Sequence, residues 1–165
     1  MSLKNLQLIE ALISAHPDHT VCGRTRLQKE VKLLQRLGFP TDYSYSIHFY
    51  GPYSESLQSD LGMMEAFGML EVSRESSQGG NEYYVLEAIN STDLLDISEF
   101  KEFVGYLIKA PTVVLELAAT YDAFREQGDD HETGLVRLRR KKGVKCDNGN
   151  EEAALTLLDG LGLNS

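Results

Sequence analysis

Cysteine is nearly absent from this sequence. Cys22 and Cys146 stand alone, with no CxxC partner for either. That argues against a disulfide framework or a cysteine zinc site and fits a reducing, cytoplasmic setting. Long apolar runs are missing as well, so no segment is expected to cross a membrane. The opening Met1-Ser2-Leu3-Lys4 leads straight into a helical pattern, and no signal peptide is expected. Catalytic signatures are also missing: there is no G-x-S-x-G elbow, phosphate-binding glycine loop, H-E-x-x-H or Cys–His constellation. The expectation is a protein that is not an enzyme and carries no cofactor or metal. His16 and His19 flank Pro17 in a turn with no third ligand close in sequence, and they read as an ordinary loop.

Positive charge is scarce in the middle of the chain. Residues 51–100 hold one Lys or Arg against ten Asp or Glu. Residues 1–50 hold six against four, and residues 101–165 hold nine against eleven. The net charge of −9 over 165 residues is therefore concentrated in the central third. Composition is otherwise that of a globular chain, at 42% hydrophobic and 25% charged residues, long enough for one solid core.

What is present centres on Tyr50-Gly51-Pro52-Tyr53-Ser54. Gly51 admits a backbone conformation that other residues resist, Pro52 fixes the next φ, and Ser54 can cap a following helix. Before it, Tyr43, Tyr45, Ile47 and Phe49 alternate with polar residues and Tyr50, as a half-buried strand does. After it, Leu57, Leu61, Met64 and Phe67 form the apolar stripe of a helix over about 54–67. Asp60 falls inside that stripe and needs a cation or a hydrogen-bond donor. A buried pair with Lys29 is one solution.

Earlier in the chain, Leu6, Ile9 and Ile13 mark a first helix over 3–15, with Leu12 nearby. Thr25 and Gln28 fit a capping box that opens a second helix. Its apolar face carries Leu27, Val31, Leu34 and Leu37, and Lys29, Lys32 and Arg36 lie together opposite. Glu30 sits near the apolar edge. Later, residues 69–72 and 83–86 read as two strands around the polar run 76–81, a wing-like hairpin. From about 91 the pattern turns helical. Phe100, Phe103, Val104, Leu107 and Ile108 follow a cap at Ser98, and Pro111 opens a helix with Val114, Leu117, Ala118 and Tyr121. A helix through Leu135, Val136 and Leu138 ends in Arg139-Arg140-Lys141-Lys142-Gly143. Asn148 and Glu151 fit the cap of a last helix with Ala154, Leu155, Leu158 and Leu161.

The order helix, helix, strand, helix, hairpin predicts an α+β, mostly helical fold. It is that of a winged helix-turn-helix with a small antiparallel sheet over 1–90 and a C-terminal helical segment over 91–165 packed on it. Two sets of residues carry a resemblance. They are Gly23-Arg24-Thr25-Arg26-Leu27-Gln28-Lys29, and Phe49 to Ser54 with Leu57, Asp60 and Leu61. Over about 20–75 the chain resembles the YwgA-like group of uncharacterised prokaryotic winged-helix proteins. Toxin-neutralising Panacea antitoxin domains look like more distant relatives. Glu30 departs from the pattern, which calls for an apolar residue there. The resemblance implies a winged-helix fold and no established activity.

Winged helices commonly place the third helix in the DNA major groove. Here that helix holds Glu55, Asp60 and Glu65 and no Lys or Arg, so it would repel phosphate. The expected function is protein–protein interaction in a regulatory, antitoxin-like or assembly role. A neighbouring gene's product is the candidate partner, and a homodimer is compatible. Tyr50, Tyr53, Lys29, Lys32, Arg36 and Asp60 are the candidate contact residues, since tyrosine suits protein interfaces. Tyr43 and Tyr45 belong to the same set. The alternative for these tyrosines is packing within the strand and under the wing. The second reading is a DNA-binding regulator that uses another basic surface. Its residues are Arg24, Arg26, Arg139, Arg140, Lys141 and Lys142, unless each run is a solvated helix face.

Overall fold

A computed structural model describes residues 2–90 and 92–164. Among these, seven α-helices and five short strands form an α+β fold around one continuous core. Helix α1 (Leu3–Ser14) is capped by Ser2, whose side chain accepts from Asn5 N. It buries Leu6, Ile9, Leu12 and Ile13, the stripe read from the sequence. A tight turn at Pro17–His19 leads to β1 (Thr20–Cys22), a strand too short for any periodic signal. Helix α2 (Arg24–Arg36) follows at once.

The strand expected over 43–50 is much shorter. Only β2 (Ser46–His48) is extended, and it pairs back on β3 (Gly51–Tyr53) in a tight hairpin. Phe49 and Tyr50 form its turn. Gly51 is required there for two reasons. Its φ is +100°, and an added Cβ would collide with Thr120 Oγ1. Helix α3 (Glu55–Ala66) begins as expected, with the Ser54 side chain accepting from Leu57 N at 3.1 Å. Leu57, Leu61 and Met64 are buried, but Phe67, one residue past the helix, is exposed.

Strands β4 (Leu70–Ser76) and β5 (Glu82–Ala88) make the expected hairpin. The small sheet has the order β1-β5-β4, with Val21 and Val72 on either side of Leu86. A 3-10 turn at Ser98–Phe100 leads into α4 (Lys101–Lys109), and Ser98 does not cap it. Helices α5 (Thr112–Glu126), α6 (His131–Lys142) and α7 (Asn150–Leu161) complete the chain. Asp130 caps α6, accepting from Thr133 N at 2.8 Å. Neither Asn148 nor Glu151 caps α7, whose N-cap is Gly149 in the left-handed conformation.

Helix α5 organises the molecule. Residues 114–124 are all buried, and the helix packs against α2, β3, α6 and α7. A helix surrounded on every side must bury its polar residues too, and Glu116, Thr120 and Asp122 are buried here. Among the described residues, no single helix is long and apolar enough to cross a membrane.

Candidate functional site

Because α5 lies against α2, the cationic face of α2 is not a solvent face. Lys29 is 1% exposed and Lys32 is 7% exposed. Lys32 forms an ion pair with Glu126, and Arg36 Nε pairs with Asp122 Oδ2 at 2.9 Å. Arg36 keeps a partly exposed side chain at the rim. The expected capping box does not form. Gln28 Nε2 donates to Ser54 O, and its Oε1 accepts from Ser54 N, both at 2.9 Å. Gly23 is the N-cap of α2 instead. One side chain thus fastens α2 to the start of α3 by a two-way bond across 26 residues of sequence.

Lys29 does not pair with Asp60. Its Nζ donates to Pro52 O at 2.7 Å, and it holds the 49–53 hairpin from below. Asp60 accepts from Tyr43 OH at 2.6 Å, a buried bond that meets the need for a donor. Burial and that bond push the Tyr43 phenol far above its ordinary range. Tyr43 is thereby removed from the candidate contact surface, and Tyr45 is half-buried with Lys32 over its ring.

The two basic runs of the sequence meet beneath this hairpin. From α6, Lys142 is 7% exposed; its Nζ sits 3.0 Å from Glu116 Oε2 and donates to Phe49 O at 3.3 Å. Lys145 Nζ donates to the same Glu116 oxygen at 2.9 Å and lies 5.2 Å from the Tyr50 ring centroid. Glu116 is the one carboxylate of this cluster, set against Lys29, Lys142 and Lys145. Burial lowers the Lys29 ammonium to about 8, and Lys142 and Lys141 push the same way against the attraction of Glu116. Burial lowers Lys142 as well, opposed by its bond to Glu116.

Above the cluster is a cleft of about 450 Å³ between the 49–53 hairpin and the first turns of α2. Arg24, Gln28, Lys29, His48, Tyr50 and Tyr53 line it. Tyr50 is 52% exposed at the lip, in a T-shaped contact with Phe49. Tyr53 is half-buried, its ring 5.0 Å from that of His48. Packing under the β4–β5 hairpin is therefore not the role of Tyr50.

The remaining basic candidates separate. Arg26 turns inward and donates to Leu107 O at 2.7 Å and Ile108 O at 3.1 Å, closing the C-terminal end of α4. Its Nε also pairs with Glu30 at 2.9 Å. Arg24 lies over the Tyr84 ring at 3.9 Å. Arg139 is taken by Glu151, with bonds of 2.7 and 2.8 Å. Arg140 and Lys141 are exposed.

A second buried cluster was not foreseen. His16 sits in the turn after α1, as expected, but it is 6% exposed, and its Nε2 lies 2.8 and 3.1 Å from the two Glu30 oxygens. Its Nδ1 faces Leu12 O at 2.9 Å. Both ring nitrogens thus meet acceptors, the arrangement an imidazolium satisfies. Burial opposes the charge, but the Glu30 bond and charge together raise the His16 value above its ordinary range. Glu30, fully buried, is matched by His16 and Arg26.

Over 129 residues the chain is 27% identical to a Bacillus subtilis (strain 168) protein described as "Uncharacterized protein YwgA". The similarity supports a YwgA-like family. It spans 73% of this chain and 78% of that relative. No family model matches the chain.

Proposed function

We propose that this chain is a winged-helix module that binds a protein partner in a regulatory, antitoxin-like or assembly role. The winged-helix part draws on the order of α1, α2, α3 and the β4–β5 hairpin, and on the resemblance over 20–75. One observation carries the partner reading: Arg26, Lys29 and Lys32 of α2 face inward, onto carboxylates and carbonyls, while the outer side of α3 is acidic. Lys29, Lys32 and Arg26 all point into the protein. The exposed residues of α3 and its end include Glu55, Met63, Glu65 and Phe67, with no Lys or Arg among them. Phosphate neutralisation dominates duplex affinity, and this surface supplies none. Phe49 at 79% exposure and Tyr50 at 52% offer an aromatic tip of the kind that anchors protein interfaces.

Of the contact residues expected from sequence, Tyr50, half of Tyr53 and the edge of Arg36 remain accessible. Lys29, Lys32 and Asp60 are buried. The test is biolayer interferometry with the purified product of a neighbouring gene, beside anisotropy with random duplex at low salt. Phe49→Ser with Tyr50→Ser is expected to weaken the protein complex at least about tenfold, with no saturable duplex binding. Tight, salt-sensitive duplex binding that is abolished by changes on α3 would overturn the reading.

A further inference from the structure

The cleft beside the 49–53 hairpin has the makings of a ligand site that a protein-binding role does not require. Its charge is unbalanced. Lys142 and Lys145 both pair with Glu116, and among the described residues that one carboxylate also supplies the negative charge acting on Lys29. Lys29, at the floor, has a carbonyl partner in Pro52 and no ion-pair partner among the described residues; neither does Arg24 at the wall. Buried charge is normally matched, because desolvating an unpaired ion costs several kcal/mol. In a chain of net charge −9, positive potential gathered under one cleft is a local feature and not an average property.

The walls are aromatic. Tyr50 stands at the lip, and Tyr53 lies against His48 on the opposing strand of the hairpin. The volume of about 450 Å³ falls within the range of small-molecule sites, about 300–1,000 Å³. A cationic floor with aromatic walls suits a ligand that is anionic at one end and planar at the other. We infer that this cleft binds a small phosphate monoester carrying an aromatic ring, of the mononucleotide class. Arg24 contacts the phosphate directly, and Lys29 and Lys142 behind it supply the field. Tyr50 stacks on the ring. The inference shares Tyr50 with the partner reading but takes nothing from α3, and a titration with AMP alone reads it without any protein partner.

Isothermal titration of the full chain at low salt, with AMP, adenosine and inorganic phosphate as separate probes, tests this. AMP is expected to bind with Kd below about 1 mM, at least about tenfold tighter than either fragment. Arg24→Gln and Tyr50→Ala alter exposed or half-exposed side chains. Each is expected to weaken AMP at least about tenfold with an unchanged melting temperature. Absence of saturable AMP binding up to about 10 mM would overturn the proposal. So would phosphate or adenosine binding as tightly as AMP, or AMP affinity unchanged in both variants.

Discussion

Helix α2 carries a buried charge cluster on each of two sides, and they differ in one respect. Around Glu30, the carboxylate meets Arg26 and His16, and the His16 and Arg26 hydrogens run on to main-chain carbonyls at the ends of α1 and α4. The His16 and Arg26 donors there end on acceptors, and neither residue lines the cleft beside the 49–53 hairpin. Around Glu116, Lys142 and Lys145 share one carboxylate whose charge also acts on Lys29, and Lys29 lines the floor of a cleft. The residue types are alike. The balance of donors and acceptors separates a cluster that ties helices together from one that has capacity left for a ligand.

The largest effect should come from removing a central carboxylate. Glu30→Gln leaves the largely enclosed Arg26 and the buried His16 without their charge partner, and a loss of about 3–5 kcal/mol is expected in urea unfolding. Glu116→Gln should cost a similar amount and lower the Lys29 and Lys142 values further. A loss below about 1 kcal/mol at Glu30 would show that the first cluster is not a tie at all.

Next comes the hairpin that both basic runs support. Gly51→Ala sets a Cβ against Thr120 Oγ1 at a positive φ, and about 2–4 kcal/mol should be lost. Thr120→Ala in the same chain should restore part of that loss, because the collision goes and the strained φ stays. No rescue would place the whole cost in the backbone. Tyr43→Phe should cost about 1–3 kcal/mol by leaving Asp60 without its donor.

The smallest change in stability is expected at Lys29. Lys29→Met gives up one bond to Pro52 O and also removes a buried ammonium, so the net should lie within about 1 kcal/mol near neutral pH. The pH dependence separates the two clusters more sharply. His16 has a raised value in the folded state. Its stabilisation is complete below the ordinary histidine range and is lost as pH rises through the folded value. Lys29 has a lowered value of about 8. Above that pH the folded state has released a proton that the unfolded chain retains up to about 10.4, so stability rises with pH in that window. Urea unfolding across pH 6 to 10 should show both slopes, with His16→Gln removing the first and Lys29→Met the second.

Much of the scaffold was legible in the sequence because it is written in local patterns. The stripes of α1 and α3, the Ser54 cap and the β4–β5 hairpin all depend on neighbours a few residues away. The site was less legible because it depends on α5. An apolar face on α2 implies a solvent face opposite, unless another helix covers it, and the covering helix begins 76 residues after the end of α2. For the same reason Lys29, Lys32 and Lys142 read as surface charges, and Gln28 read as half of a capping box instead of a strut to Ser54. The run of mixed polar and apolar buried residues at 114–124 was the available signal. Glu116, Thr120 and Asp122 there share a helix with Val114, Leu117, Ala118 and Tyr121.

The most direct measurement is the titration of the Lys29 ammonium by NMR, followed at its Cε and Nζ resonances with Lys29→Met for assignment. A midpoint near 8 is the predicted result, marking a buried cation left short of negative charge. A midpoint near the ordinary lysine value of about 10.4 would mean the ammonium is fully compensated, and the distinction between the two clusters would fail.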